Sequence, residues 1–94
     1  MREMTITKIE KEQLSQLEFL SQDKNLKKQA QIKKKLYIGM LLGNIYRNKV
    51  KIYFKSKEGA KMVETTIWAT TDKNVILKGG IAIPIPSINK VGFY

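Results

Sequence analysis

Apolar residues near the start of the chain recur at about 100° per residue, the period of an amphipathic helix, and predict a helix over residues 5–21. Thr5 suits the N-cap, and the acids Glu10 and Glu12 suit the positive end of the helix dipole. Asp23 suits the cap of a second helix that begins near residue 24. The residues of the first apolar stripe are Ile6, Ile9, Leu14, Leu17 and Leu20.

The second helix is rich in Leu, Lys, Gln and Ala, which favour helix, but the pattern leaves its end open. It either stops after its run of lysines or continues through residues 36–42 to the Gly-Asn pair that follows. We expect it to continue, because Ile32, Leu36 and Met40 share one face of a helix. The pattern therefore predicts a helical N-terminal segment over residues 5–44.

Beyond residue 45 the apolar residues alternate with polar ones, which is the period of half-buried strands. Glu58-Gly59 is typical of a tight hairpin turn. Pairing across this turn brings six inward-facing residues together, and a slip of one residue would turn them outward. The expected pairs are Phe54 with Val63, Ile52 with Thr65, and Val50 with Ile67.

Turn-forming residues divide the rest of the chain into short strands. Pro84 should confine its strand to the edge of a sheet. Pairing about the two central glycines places Ile76 and Ile83 on one face, and apolar residues also fill the other face. The expected later elements are turns at 71–74 and 79–80, a 3₁₀ turn at 86–88 and a last strand at 91–94.

The layout of residues 48–94 resembles Sm-like and SH3-like small β-barrels. The resemblance rests on a strand ending in Lys-Glu-Gly, a strand over 63–70, then Asn-Val-Ile-Leu, Gly-Gly and Ile-Ala-Ile-Pro followed by Pro-Ser-Ile. The same stretch is similar to a family of short uncharacterised bacterial proteins. We therefore expect one α+β domain over residues 1–94, with the helical segment at 5–44 followed by a small antiparallel β-barrel at 45–94. Because Sm-like proteins bind RNA and form rings, the resemblance implies RNA binding and a homo-oligomer.

The net charge of the chain indicates the kind of partner it binds. The 18 Lys and Arg residues against 8 Asp and Glu residues give a net charge of +10. The whole positive excess lies in residues 24–57, which hold no acid and create a field that attracts polyanions. The basic residues of this range are Lys24, Lys27, Lys28, Lys33, Lys34, Lys35, Arg47, Lys49, Lys51, Lys55 and Lys57.

One face of the first predicted strand combines cations with an aromatic ring. Lys49, Lys51, Tyr53 and Lys55 share its outward side, and the expected register places Trp68 opposite Lys49. Lysines neutralise phosphates, and aromatic faces stack bases, so this row predicts a site for single-stranded nucleic acid. In the alternative interpretation, the lysines only prevent edge aggregation and the N-terminal helix covers Trp68.

Lys33, Lys34 and Lys35 form a second basic cluster, which a helix could align along a phosphate backbone. A solvated helix face explains the same lysines. Together with the apolar residues 36–42, they also fit a helix lying at an anionic membrane surface. We expect no membrane contact, because packing of the helix on the barrel explains those apolar residues.

Catalysis and metal binding are disfavoured, because the chain contains no cysteine and no histidine. The carboxylates of residues 46–94, Glu58, Glu64 and Asp72, form no paired-acid arrangement, and the Gly-Gly pair precedes a strand rather than a helix. We expect no enzymatic activity, no cofactor, no metal and no small-molecule substrate. A small cysteine-free domain also suits the reducing cytoplasm.

These patterns predict a non-enzymatic cytoplasmic module that binds a polyanion, above all nucleic acid, either RNA or DNA. The alternative is a structural or adaptor protein that self-associates through its helices or a sheet edge. The residues expected to bind nucleic acid are Lys33, Lys34, Lys35, Lys49, Lys51, Tyr53, Lys55 and Trp68.

Overall fold

A computed structural model describes residues 6–21 and 25–93 of the chain. Its strands form two sheets, one in the order β1-β3-β2-β7 and one in the order β4-β5-β6. β1 runs parallel to β3, and the other paired strands are antiparallel. The elements are β1 (Thr7–Ile9), a 3₁₀ helix (Lys11–Gln16), α1 (Leu26–Tyr46), β2 (Val50–Ser56), β3 (Gly59–Thr65), β4 (Ile67–Thr70), β5 (Asn74–Leu77), β6 (Ala82–Pro84), a second 3₁₀ helix (Ile85–Ser87) and β7 (Ile88–Gly92).

The predicted Sm-like or SH3-like β-barrel is wrong, because the two sheets are open and do not close on each other. The ladder between β2 and β3 ends where Val50 pairs with Thr65. The chain then leaves the first sheet at Thr66 and starts β4 in the second sheet. A barrel needs a continuous ring of paired strands, and this change of sheet interrupts it.

The predicted helix over residues 5–21 is also wrong. β1 pairs with β3 and places Ile9 beside Val63. Leu14 lies in the 3₁₀ helix that follows and is buried. Phe19 bridges to Ser56, so the apolar stripe is used by sheet pairing and by a tight turn instead. The helix caps expected at Thr5 and Asp23 lie outside the described residues.

The expected continuation of the second helix is confirmed, since α1 runs through to Tyr46. The side chain of Asn25 caps its first turn by accepting a hydrogen bond from the Lys28 amide at 3.1 Å. Its buried line packs against β7, an edge strand of the four-stranded sheet, and β4, an edge strand of the three-stranded sheet. This line consists of Ile32, Leu36, Gly39 and Gly43.

The hairpin of β2 and β3 keeps its expected inward face but not its expected pairs. Its turn is Lys57-Glu58, so Ile52 pairs with Val63, and every pair is displaced by two residues from the prediction. The Ser56 hydroxyl fixes this turn by accepting from the Glu58 amide at 3.2 Å and donating to the Gly59 carbonyl at 3.0 Å. A displacement of two preserves the side of each residue, which is why the inward residues are still buried.

The pairing of β5 with β6 differs by one residue from the expected pairing. Val75, not Ile76, pairs with Ile83, because the turn spans residues 78–80 rather than the two glycines alone. Val75 and Ile83 are therefore both buried, and Ile76 lies on the other face. Pro84 lies on the edge strand of the second sheet, as its lack of an amide proton predicts.

The inner faces of the two sheets and the inner line of α1 share one apolar core. The last strand begins at Ile88, three residues earlier than expected, and the expected end at Tyr94 lies outside the described residues. The largest fully buried side chains from the two sheets include Ile52, Phe54, Val63, Ile67, Val75, Leu77 and Ile83.

Candidate nucleic-acid interface

Trp68 is directed out of the core by a β-bulge. Ile67 pairs with Leu77 and Ala69 pairs with Ile76, so Trp68 is an extra residue with no partner in this ladder. Bulges of this kind re-aim one side chain, and here Ile67 stays fully buried while 52% of Trp68 is exposed. The indole is therefore not sealed beneath a helix.

Trp68 lies in an open groove together with three cationic side chains. The groove has a volume of about 350 Å³ and opens between the end of α1, the connection to β2, the start of β4 and the turn after β5. We call it the Trp68 groove. Its lining residues are Gly43, Asn44, Arg47, Lys49, Thr66, Trp68 and Lys78.

The backbone holds the cations of this groove in place. Arg47 ends α1 in the left-handed conformation, with a φ of 57° and its amide bonded to the Gly43 carbonyl at 2.9 Å. The amide of Lys78 donates to the Thr66 carbonyl at 2.9 Å, which ties the turn after β5 to the start of β4. Lys49 stands immediately before β2. Three separate segments thus line the groove that holds the indole.

The groove cations take no part in the ion pairs found among residues 6–21 and 25–93. Those pairs join Lys8 to Glu64 at 3.2 Å, Lys33 to Asp72 at 3.4 Å and Lys57 to Glu18 at 3.0 Å. Arg47, Lys49 and Lys78 therefore contribute positive charge that no carboxylate in this part of the chain neutralises at contact distance.

The outer face of the four-stranded sheet carries the rest of the predicted row. Tyr53 lies between Lys51 and Lys55 along β2, opposite Met62 on β3 and Lys90 on β7. The ammonium group of Lys90 is 5.7 Å from the centre of the Tyr53 ring. The structure thus places an aromatic side chain among lysines, and we call these five residues the sheet face.

Glu64 separates the sheet face from the Trp68 groove. It pairs across the ladder with Lys51 and forms the ion pair with Lys8. It also lines a shallow hollow next to Lys49. Glu10 and Glu12 line a neighbouring hollow together with Glu64, Lys49 and Lys78. The positive surface is therefore interrupted by carboxylates rather than continuous.

The basic cluster of α1 lies away from the groove. Lys33 pairs with Asp72, and Lys34 and Lys35 are exposed. Ten residues of helix separate Lys34 from Asn44, which corresponds to about 15 Å. The structure therefore does not bring Lys33, Lys34 or Lys35 to the indole.

Two groove residues, Arg47 and Lys78, were not expected there. Arg47 belongs to the acid-free basic run, but only the end of α1 places it in the lining of the Trp68 groove. Lys78 precedes a Gly-Gly pair, and nothing in the local sequence links that turn to β4. The expected strand pair of Lys49 with Trp68 does not form, because Trp68 belongs to the second sheet, but the two residues line the same groove.

The groove presents an exposed aromatic face beside three cations, a combination that suits a planar base attached to phosphates.

Among the residues that the structure describes, no three His, Cys, Asp or Glu side chains gather as metal ligands. None of the described helices has the length and apolar character needed to cross a membrane. No protein-family model, curated protein or solved structure matches the chain.

Proposed function

We propose that this protein binds single-stranded nucleic acid in the cytoplasm, without catalysis, by stacking a base on Trp68 and holding the adjoining phosphates with Arg47, Lys49 and Lys78. The observation that carries this proposal is the exposed indole in a groove lined by three cations. A tryptophan needed only for the core would be buried, and lysines needed only for solubility would not converge on it.

Stacking and charge contribute separately to this binding. A base stacked on an aromatic side chain is worth about 1–3 kcal/mol. Three phosphate contacts to a single strand give a slope of log K against log salt of about −2. Neither term reads base edges, so both RNA and DNA strands fit the proposal and sequence preference is weak.

The sheet face extends the path of the strand. The outward residues of β2 follow Lys49 in steps of two, and the distance from Lys49 to Lys55 is about 20 Å for an extended chain. Tyr53 gives a second aromatic surface along this path. Glu64 lies beside the path and weakens it, so we assign the main affinity to the Trp68 groove.

The sole tryptophan of the chain makes a direct test possible. Intrinsic fluorescence is followed while oligo(dT) or oligo(U) is added, and heparin serves as a polyanion without bases. We expect both oligonucleotides to quench Trp68 and heparin to leave its emission unchanged. Equal binding of heparin and oligonucleotides without quenching would reduce the interaction to simple charge attraction and refute the stacking.

Replacing the indole tests the same contact by affinity. Trp68→Ala should weaken oligonucleotide binding by about tenfold or more, while the exposed position leaves the folded state intact. Trp68→Phe keeps an aromatic face and should retain most of the affinity. Fluorescence anisotropy of a labelled oligonucleotide measures both variants, and circular dichroism confirms their fold. Unchanged affinity in the alanine variant would contradict the proposal.

A further inference from the structure

α1 carries a second apolar line on the side that faces away from the sheets. Ile38, Leu41 and Ile45 follow one another in steps of three and four, nearly opposite the buried line. Ile38 is exposed by 38%, Leu41 by 39% and Ile45 by 68%. Tyr37, also exposed, lies beside them. We call these four residues the outer stripe.

An apolar stripe on both sides of one helix calls for contact on both sides. The sheets cover only the inner side of α1, and the solvent-facing side of a surface helix is normally polar. Clustered exposed apolar side chains usually mark a surface for a partner or a membrane. The C-terminal half of α1 is therefore expected to be a docking surface.

The charges around the outer stripe point to an anionic occupant. Lys27 and Lys34 precede Leu41 in steps of seven residues, which places them on the same outer side of the helix. Arg47 and Lys49 follow its end. Residues 24–57 contain no acid, so α1 itself adds no negative charge to the stripe, and Glu64 of β3 lies beside Arg47 and Lys49 near its end.

A second copy of the chain fits this surface poorly. In a parallel pair of α1 helices, Lys34 would meet its own counterpart. In an antiparallel pair centred on Leu41, Lys34 would lie beside residue 48, between Arg47 and Lys49. Both arrangements bring like charges together at the rim of the apolar contact, and like-charge contacts oppose association.

We propose that the outer stripe docks the protein on an anionic membrane surface, with α1 lying parallel to the bilayer. The stripe points away from the body of the fold, so a flat surface can reach it. Ile38, Leu41 and Ile45 enter the boundary of the acyl chains, and Tyr37 lies at the level of the headgroups. The lysines extend to lipid phosphates, each strengthening binding about fivefold.

Vesicle sedimentation tests this docking on the full chain. The vesicles contain equal parts phosphatidylglycerol and phosphatidylcholine, or phosphatidylcholine alone. We expect binding to the anionic vesicles only, and a partition at least about tenfold weaker for a triple variant with Ile38→Gln, Leu41→Gln and Ile45→Gln. Leu26→Gln is the matched control, because Leu26 is 80% exposed on the same helix but outside the stripe, and it should change partition less than about twofold.

A second measurement does not depend on the triple variant remaining folded. Leu41→Trp in a Trp68→Phe background places the sole tryptophan in the stripe, and its emission should shift to the blue with anionic vesicles but not with phosphatidylcholine. Binding that the triple variant retains would show charge attraction alone and overturn the docking. Absence of vesicle binding would overturn it as well, and a dimer in sedimentation velocity that the triple variant loses would then identify a second copy as the occupant. The triple variant and Leu26→Gln leave Trp68 and the groove cations in place, so failure of vesicle binding is separable from failure of nucleic-acid binding.

Discussion

Arg47 ends α1 in a conformation that an arginine side chain disfavours. Its φ of 57° is the only positive φ among the non-glycine residues that the structure describes. The left-handed region costs an L-residue roughly 1–2 kcal/mol, and glycine is the usual residue at this position of a helix end. Strained backbone of this kind often occurs at functional sites, and Arg47 also lines the Trp68 groove.

Arg47→Gly should therefore change stability and binding in opposite directions. Relief of the left-handed strain, less the greater freedom of glycine in the unfolded chain, should raise the free energy of unfolding by about 0.5–1 kcal/mol. A gain of 1 kcal/mol corresponds to a rise in Tm of about 4–8 °C for a domain of this size. Loss of one phosphate contact should lower oligonucleotide affinity and reduce the salt slope by about 0.7.

Urea unfolding measures the first effect, and anisotropy titrations at several salt concentrations measure the second. Lys73→Gln is the matched control, since it removes one exposed positive charge outside the groove. The control should leave the salt slope nearly unchanged. If Arg47→Gly and Lys73→Gln weaken binding equally, net charge and not the groove governs affinity. If Arg47→Gly is less stable than the natural chain, the reasoning about strain is refuted.

Two further substitutions test the surroundings of the groove. Glu64→Gln removes the acid beside Lys49 and should strengthen oligonucleotide binding, while loss of its ion pair with Lys8 costs about 0–1 kcal/mol of stability; weaker binding in anisotropy would show that Glu64 positions a ligand contact. Gly43→Leu should destabilise the fold by about 1–3 kcal/mol, because even a Cβ at this position would lie 2.9 Å from the Thr66 side chain. Thermal unfolding measures this loss, and Gln31→Leu, at an exposed position of α1, is the control. Equal unfolding temperatures for the two variants would show that α1 does not lie close to β4.

The buried faces of the strands after residue 45 could be predicted from the sequence, because they follow a local period of two. Val50, Ile52 and Phe54 are buried as their alternation predicts. Their partners were misplaced by two residues, since the turn is fixed by hydrogen bonds of the Ser56 side chain and not by the glycine alone. Turn geometry of this kind is a matter of single side-chain contacts, which a hydrophobic pattern does not encode.

The N-terminal segment was misread because its partner is far away in sequence. Thr7 pairs with Lys61 and Ile9 pairs with Val63, more than fifty residues later. A few apolar residues at a helical spacing are also compatible with a short strand followed by a 3₁₀ turn, and the tertiary pairing decides between them. The change of sheet at Thr66 is equally non-local, since it depends on α1 packing beside β4.

The groove was only partly predictable, for the same reason. Trp68 and Lys49 were expected to meet through a continuous hairpin ladder, yet a bulge and a change of sheet bring them together instead. Lys78 and Arg47 join them through backbone bonds to Thr66 and Gly43. A basic run signals that cations are available, but which of them reach the indole depends on these tertiary contacts.

The direction of α1 opposes the proposed binding of phosphates, so the charge of the helix end has to be compared with that of the groove side chains. The C-terminal end of a helix carries roughly −0.5 of an elementary charge, which repels phosphates. Three full positive charges from Arg47, Lys49 and Lys78 outweigh it at the same end. Because the backbone contribution has the wrong sign, anion binding here rests on the side chains alone. Neutralising all three should therefore abolish the salt dependence assigned to the groove and leave stacking on Trp68 as its only attraction for a base.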